Sequence, residues 1–311
     1  MTALSRSVAN RFGFNGQGAA TAALHYRRAR ADDLRAMASL FLATLADLNA
    51  RNNVVAPLPP LASVVASYQH VLETGIFRIV EMEGQIAAIA GAILRDDLWF
   101  LSAFWVRPGL QRQGIGMPLL RRVWQDGVEA GATVFFTWSS RDLTAMAAYM
   151  KLGMLPGSQI LQVEGSAKQL PPAPQGYEVV PLEPAVAMAL DLIMLGAMRP
   201  EDHAMWHQQR GMVGRQLLYR NQPAGYFYVR DGTIGPAAWA DRRHGETLMA
   251  AAMAEAGAAA PTVRLSIPGM NHTALRLAFD AGLHLTGFAH LLTTTPFPRM
   301  SLYLPSGPAF F

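Results

Sequence analysis

One ordered series of apolar runs and turn signals occurs twice in this chain, and that repetition constrains the fold more than any other feature. The first series opens with a short strand, LHYRRA, and an amphipathic helix from Asp32 to Asn49. Asp32 is its expected cap, and Leu34, Met37, Leu40, Phe41 and Leu45 fall at helical spacing. A stretch with three prolines precedes a second helix, and three strand-like runs follow: IFRIVEME, QIAAIAGAIL and LWFLSAFWV. Their separators are of hairpin size. A Pro/Gly/Gln/Arg-rich turn then enters a helix over Gly114 to Glu129, followed by a buried strand, TVFFTW, a short helix from Asp142 to Leu152 and a last strand, SQILQVE. After the proline-rich GSAKQLPPAPQG the order starts again. YEVVPL, a helical segment, a three-strand meander ending at Trp239, a helix from Gly245 to Glu255, the strand TVRLSIP and a short helix from Asn271 to Asp280 repeat it. Tandem duplication of one α/β unit explains this order.

Composition sets the outer limits. At 311 residues the chain exceeds what one hydrophobic core ordinarily fills, so two domains are the expectation. Charged residues make up 15 %, against roughly 25 % in typical soluble proteins, so much of the chain is buried or covers itself in an oligomer such as a homodimer. No apolar run reaches the ~20 residues of a membrane helix, and no role at a membrane is expected. Zero cysteines exclude disulfides, thiolate zinc sites and a cysteine nucleophile. The net charge of +4 is spread along the chain and suits an acidic small molecule at least as well as nucleic acid, which is not an expected partner. Residues 1–23 contain no apolar signal core; a transit peptide is one reading of their basic, Ser/Ala-rich composition, but a loose N-terminal arm and a cytoplasmic protein are the expectation.

The segment WVRPGLQRQGIGMPLL, Trp105 to Leu120, carries the chemistry. A buried strand ends at Val106, Pro108 stops its ladder, and Gln111, Arg112 and Gln113 lead through Gly114-Ile115-Gly116 into a helix. Glycines let backbone N–H groups approach a ligand, a helix N-terminus adds partial positive charge, and Arg112 offers a charge-assisted bond, so the segment suits a phosphate-bearing ligand. A plain strand–helix turn accounts for the spacing equally well.

Two motifs in order favour the ligand. V-x-P-x-x-Q-R-x-G-I-G-x-x-L-L resembles the pyrophosphate loop of GNAT-type N-acetyltransferases, and Ala145, Tyr149, Lys151 and Gly153 resemble that family's A-x-x-x-Y-x-K-x-G-F helix. Asp142 stands where Asn is common and Met154 where Phe is common. The resemblance runs from Tyr26 to Val163. It implies an α+β fold, an α/β mixed sheet that splays beside its fourth strand, in two tandem GNAT-like units. Residues 24–164 would form the acetyl-CoA-binding catalytic domain, 165–176 a proline-rich linker and 177–311 a degenerate copy. The cosubstrate implied is acetyl-CoA, with no metal. Its pantetheine arm would meet backbone of Phe104, Trp105 and Val106. Its diphosphate would meet the turn of Gln111, Arg112, Gln113, Gly114, Ile115, Gly116 and Met117, with Asp142 close by. The implied reaction is acetyl transfer to a primary amine, of a small molecule or a peptide, by direct attack in a ternary complex. A non-catalytic acyl-CoA-binding or regulatory module, and an interaction protein, are the competing classes.

Tyr149 would protonate the departing thiolate, although a core-facing aromatic also fits its spacing. The general base is not legible. The fourth strand offers Ser102, and Asp96, Glu81, Glu83, His70, a second-domain residue or a water chain are further candidates. The second unit keeps Arg243 and Gly245 but lacks the G-x-G, and Ala278 stands where the first has Tyr149. His203 and His207 in EDHAMWH have no third ligand at a recognised metal spacing, and an interface role suits them better. Tyr226, Tyr228 and Trp239 alternate along strands as core residues do.

Overall fold

The computed structural model describes residues 23–297 and 299–311; all but one residue of the expected N-terminal arm lies outside the described residues. β1 (Leu24–Arg28) leads through a 3-10 turn (Ala31–Asp33) into α1 (Leu34–Arg51), followed by α2 (Leu61–Thr74). The helix therefore starts two residues later than expected, and Asp32 does not cap it. Asp33 stands there instead, and Arg27 takes its carboxylate at 2.7 Å. β2 (Gly75–Met82), β3 (Gln85–Arg95) and β4 (Leu98–Val106) form the meander, before α3 (Gly116–Glu129), β5 (Val134–Ser139), α4 (Leu143–Met150) and β6 (Leu155–Gly165).

The second series runs β7 (Tyr177–Pro181), α5 (Pro184–Leu195), α6 (Pro200–Gln208), β8 (Val213–Tyr219), β9 (Gln222–Arg230) and β10 (Thr233–Trp239). It continues through α7 (Arg242–Ala259), β11 (Val263–Pro268), α8 (His272–Asp280), β12 (His284–Thr293) and β13 (Tyr303–Leu304). Asp96 and Asp231, both with positive φ, turn the corresponding hairpins β3–β4 and β9–β10. Among the described residues, no helix is long and apolar enough to cross a membrane.

The two series share one 13-stranded sheet in the order β1-β2-β3-β4-β5-β12-β6-β11-β10-β9-β8-β7, with β13 on β10. Each series places its last long strand in the other's half. β12 pairs antiparallel with β5 (Leu291 opposite Trp138), and β6 with β11 (Ile267 opposite Leu161). The exchange removes two sheet edges that would otherwise lie open in the middle of the molecule.

Charge also joins the halves. Buried Arg95 at the end of β3 donates to both oxygens of buried Asp202 on α6, at 3.0 and 2.5 Å, and His70 lies 2.7 Å from the same carboxylate. Burial pushes the Asp202 pKa up, but the bonds from His70 and Arg95 outweigh it and hold the carboxyl below its ordinary value. Deeper in the second half, Asp191 accepts from Arg199 (2.7 Å) and Tyr226 (2.5 Å) and lies 2.9 Å from His203. The EDHAMWH segment is thus a packed helix whose Asp202 and His203 are committed to these networks.

Candidate active site

Sequence and sheet geometry together open a cleft beside β4. β4 and β5 pair in parallel only from Leu98–Val134 to Leu101–Thr137. There the β3–β4 register shifts, with Gly91 opposite Ala103 and Ala92 opposite Leu101, so Ser102 is an extra residue. A bulge twists a strand locally, and from this point β4 leaves β5. Arg107 donates its N–H to Ala87, which makes it a hydrogen-bonded pair with β3. By the alternation of an antiparallel ladder, the backbone groups of Phe104 and Val106 face away from β3 into the cleft. The Gln111 side chain donates to the Val106 carbonyl at 3.2 Å and so ties the following turn to the strand.

That turn is built from left-handed residues: Gly109, Arg112 and Gly114 have φ of +85°, +63° and +84°. No atom lies within 4 Å of where a Cβ on Gly114 would stand, so one side of the turn is open. Among the described residues, the amides of Gln111, Arg112, Gln113, Gly114 and Ile115 make no hydrogen bond to the chain. The first amides of α3 add their partial charge to this row. Ile115 is buried in the core beneath and contributes only backbone, while the exposed Gln113 side chain is bonded to the Gly109 carbonyl at 2.8 Å. The helix begins at Gly116, not at the expected Gly114, because residues 114 and 115 are spent on the turn.

A cavity of about 1880 Å³ runs along the cleft. Phe104, Trp105, Val106, Gln111, Arg112 and Gly114 line it, as do Gly116, Met117, Asp142, Ser102 and Tyr149. Asp142 caps α4, accepting from the amides of Thr144 (2.9 Å) and Ala145 (3.1 Å). Tyr149 is 6 % exposed, packs edge-on against Phe104 with ring centroids 5.9 Å apart, and its hydroxyl makes no hydrogen bond to the described residues. Burial, then the charge of Asp142, raises the phenol well above its ordinary value of 10.0. Ser102 donates its hydroxyl to the Ala309 carbonyl at 2.7 Å.

The named base candidates are elsewhere. Asp96 accepts from the Met198 amide, Glu81 pairs with Arg27, His70 with Asp202, and the exposed Glu83 turns β2 into β3. None of the four lines the cavity, whose carboxylates are Asp47, Asp142 and Asp231. Tyr68 and Ser306, not singled out from the sequence, do line it, as does Phe41, which the sequence marked only as an apolar residue of the first helix. A signal for Tyr68 was present: with Val64 and Val71 it forms the buried face of α2, an unusual place for a hydroxyl.

Residues 59–154 match the Acetyltransferase (GNAT) family. The chain carries a GNAT acetyltransferase domain. That family uses acetyl-CoA and acts on amine acceptors, and the match supports an acyltransferase activity in general terms. Solved structures extend the fold to both halves. A putative acetyltransferase from Pyrococcus horikoshii is 18 % identical, covers 93 % of this chain and 96 % of its own, and superposes with a TM-score of 0.74. A GCN5-related N-acetyltransferase from Sphaerobacter thermophilus (17 % identity, 90 % and 98 % covered, TM-score 0.61) is similar along nearly its whole length. So is a tandem GNAT protein from the clavulanic acid biosynthesis pathway (16 %, 88 % and 99 %, TM-score 0.60). No curated protein matches the chain. Among the described residues, no group of three or more His, Asp or Glu is arranged to hold a metal ion.

Proposed function

We propose that the protein moves an acetyl group from acetyl-CoA to a primary amine by direct attack within a ternary complex. In this reading residues 24–164 form the catalytic unit, 165–176 the linker and 177–311 a degenerate unit that walls the acceptor end of the cavity. The observation that carries it is the row of unmet amides at Gln111 to Ile115, next to the outward-facing backbone of Phe104 and Val106. A diphosphate suits the first and an amide-bearing pantetheine arm the second.

The amine lone pair adds to the thioester carbonyl, the C–S bond breaks, and the electron pair leaves on sulfur. Tyr149, kept protonated by its buried setting, donates to that sulfur, and the proton that the attacking nitrogen sheds as the amide forms passes through solvent to restore the phenol. Ser102, whose proton is held by Ala309, offers its oxygen as an acceptor that orients the amine N–H. An alkylamine is mostly protonated at neutral pH and must lose a proton before it attacks. Asp142 is spent on its cap and Asp47 on Arg51 at 2.9 Å, so Asp231 is the carboxylate of the lining that receives this proton through solvent.

Acetyl-CoA binding and thiol release across an amine panel test the reading. Acetyl-CoA at ~100 times its Kd should stabilise the protein by about 2.7 kcal/mol, seen as a rise in Tm. Binding without thiol release from any amine would favour the regulatory module instead.

A further inference from the structure

The chain that leaves β13 in the second half crosses to β4 of the first. Residues 307–311 close a tight turn there, with the Phe311 amide donating to the Gly307 carbonyl at 2.9 Å. The Phe311 ring is 2 % exposed and is held by both halves. It packs on Phe136 of β5 (centroids 4.9 Å) and Phe100 of β4 (5.7 Å), and from the other side on Tyr303 (5.7 Å) and Phe297 (6.0 Å). Its carbonyl accepts from Arg199 at 2.8 Å and from the Tyr303 hydroxyl at 3.0 Å. Arg199 is itself bonded to buried Asp191, and it donates to the Tyr303 oxygen at 2.9 Å. The buried charge network of the second half therefore has its outer end on this segment.

Two residues before Phe311, the Ala309 carbonyl accepts the Ser102 hydroxyl at 2.7 Å. Ser102 is the extra residue of the bulge at which β4 leaves β5, and it lines the cavity. A serine hydroxyl has one proton and two acceptor lone pairs. With the proton fixed on Ala309, the lone pairs have a fixed direction and the group acts only as an acceptor toward an entering N–H. Without that carbonyl the hydroxyl is free to rotate, and acceptance becomes one state among several. The segment also keeps clear of the cosubstrate row. Phe311, Phe100 and Phe136 share a core with Val64 and Tyr68 of α2, whereas Ile115 and Tyr149 belong to the core beneath α3 on the opposite face.

Resting on the acetyl-transfer reading above, we propose that residues 305–311 are a strap through which the second half positions Ser102 for the amine. Phe311 and Tyr303 are its positioning residues, and the buried Asp191–Arg199 pair, which the chemistry does not use, anchors it.

A double-mutant cycle on thiol release from acetyl-CoA tests this, run with the best acceptor among tyramine, spermidine, kanamycin and the peptide Ala-Ala-Ala. Phe311→Ala removes the ring that seats the turn. Tyr303→Phe keeps every ring and removes only the hydroxyl on the Phe311 carbonyl, so it carries the test if Phe311→Ala does not fold. The KM for the amine should rise about 10-fold in Phe311→Ala and about 3-fold in Tyr303→Phe, the scale of one hydrogen bond, with kcat and the acetyl-CoA Kd unchanged. In a Ser102→Ala background neither change should raise that KM further, because the group they position is gone. Additive effects in that background would overturn the proposal, since a merely structural segment acts whether or not Ser102 is present. An unchanged amine KM in Tyr303→Phe, or an acetyl-CoA Kd that rises with it, would overturn it too. Acetyl-CoA binding with no thiol release from any of the four amines would instead remove the acetyl-transfer reading, and this one with it.

Discussion

The two halves make the same cleft and treat it oppositely. In the first, β4 leaves β5 after Leu101, and the edge at Phe104 and Val106 stays open. In the second, β10 pairs with β11 only at Thr233 and Ile234, its register shifts, and the freed edge at Ala237 and Ala238 is taken by β13. The chain's own Tyr303 and Leu304 thus sit where the first half leaves its strand edge open. The helix starts differ in the same sense. The first half spends Arg107 to Ile115 on an open turn, whereas α7 starts at Arg242, three residues past Trp239, and the Asp241 carboxylate accepts from the Arg243 amide at 3.0 Å. One N-terminus has amides to offer an anion, and the other has supplied an anion of its own. Ala278, fully buried in α8, removes the phenol as well. The second half keeps the fold and fills the corresponding cleft with its own chain.

This contrast can be broken most directly by Gly114→Asp. It puts a branched, negative residue at φ +84° in the anion turn, and should abolish the acetyl-CoA-induced rise in Tm. Titration calorimetry on the unaltered chain should give one acetyl-CoA per molecule, and two would show that the second cleft opens. Next in size is Asp202→Asn, which removes the buried partner of Arg95 and leaves it only the exposed Glu201 carboxylate at 3.4 Å; it should cost about 3 kcal/mol in urea unfolding.

Tyr149→Phe should lower kcat about 100-fold with acetyl-CoA affinity unchanged, while Ala278→Tyr adds no activity. Because burial raises the Tyr149 phenol, its protonated form persists to higher pH, so kcat should show no falling limb from Tyr149 up to about pH 10. Asp191 and Asp202 both have folded pKa values held below the ordinary 3.8. Their contribution is complete above that value and is lost as pH falls through the depressed ones, so the urea midpoint should drop below about pH 4. The smallest effect is expected for Asp241→Ala, about 1 kcal/mol for a lost cap, with acetyl-CoA binding unchanged.

The legible parts of the site are those made by consecutive residues. The amide row of Gln111 to Ile115 was readable because neighbours in sequence build it. The Asp142 cap was readable because its acceptors are Thr144 and Ala145, two and three residues on. The Asp32 cap failed because Ala31–Asp33 form a 3-10 turn that puts Asp33, not Asp32, before the first residue of α1. The far lining of the cavity was not legible: Phe41, Tyr68, Trp105 and Ser306 come from two helices, a strand and the segment after β13. Nor were the base candidates excluded from the sequence, since Glu81 and His70 are removed from the cavity by pairing with Arg27 and Asp202.

Sequence alone determined the repetition, the element order, the glycine-rich turn after the fourth strand and its absence from the second half, because each depends on local periodicity, glycine φ or a residue's presence. Tertiary structure decided which strands meet. Backbone ladders accept any sequence of suitable pattern, so nothing in SQILQVE states that it pairs with β11 and β12 rather than β5. Nor does anything in Tyr303-Leu304 state that it closes the second cleft. Those choices follow from how connections, packing and the buried Arg95–Asp202 contact fit in three dimensions.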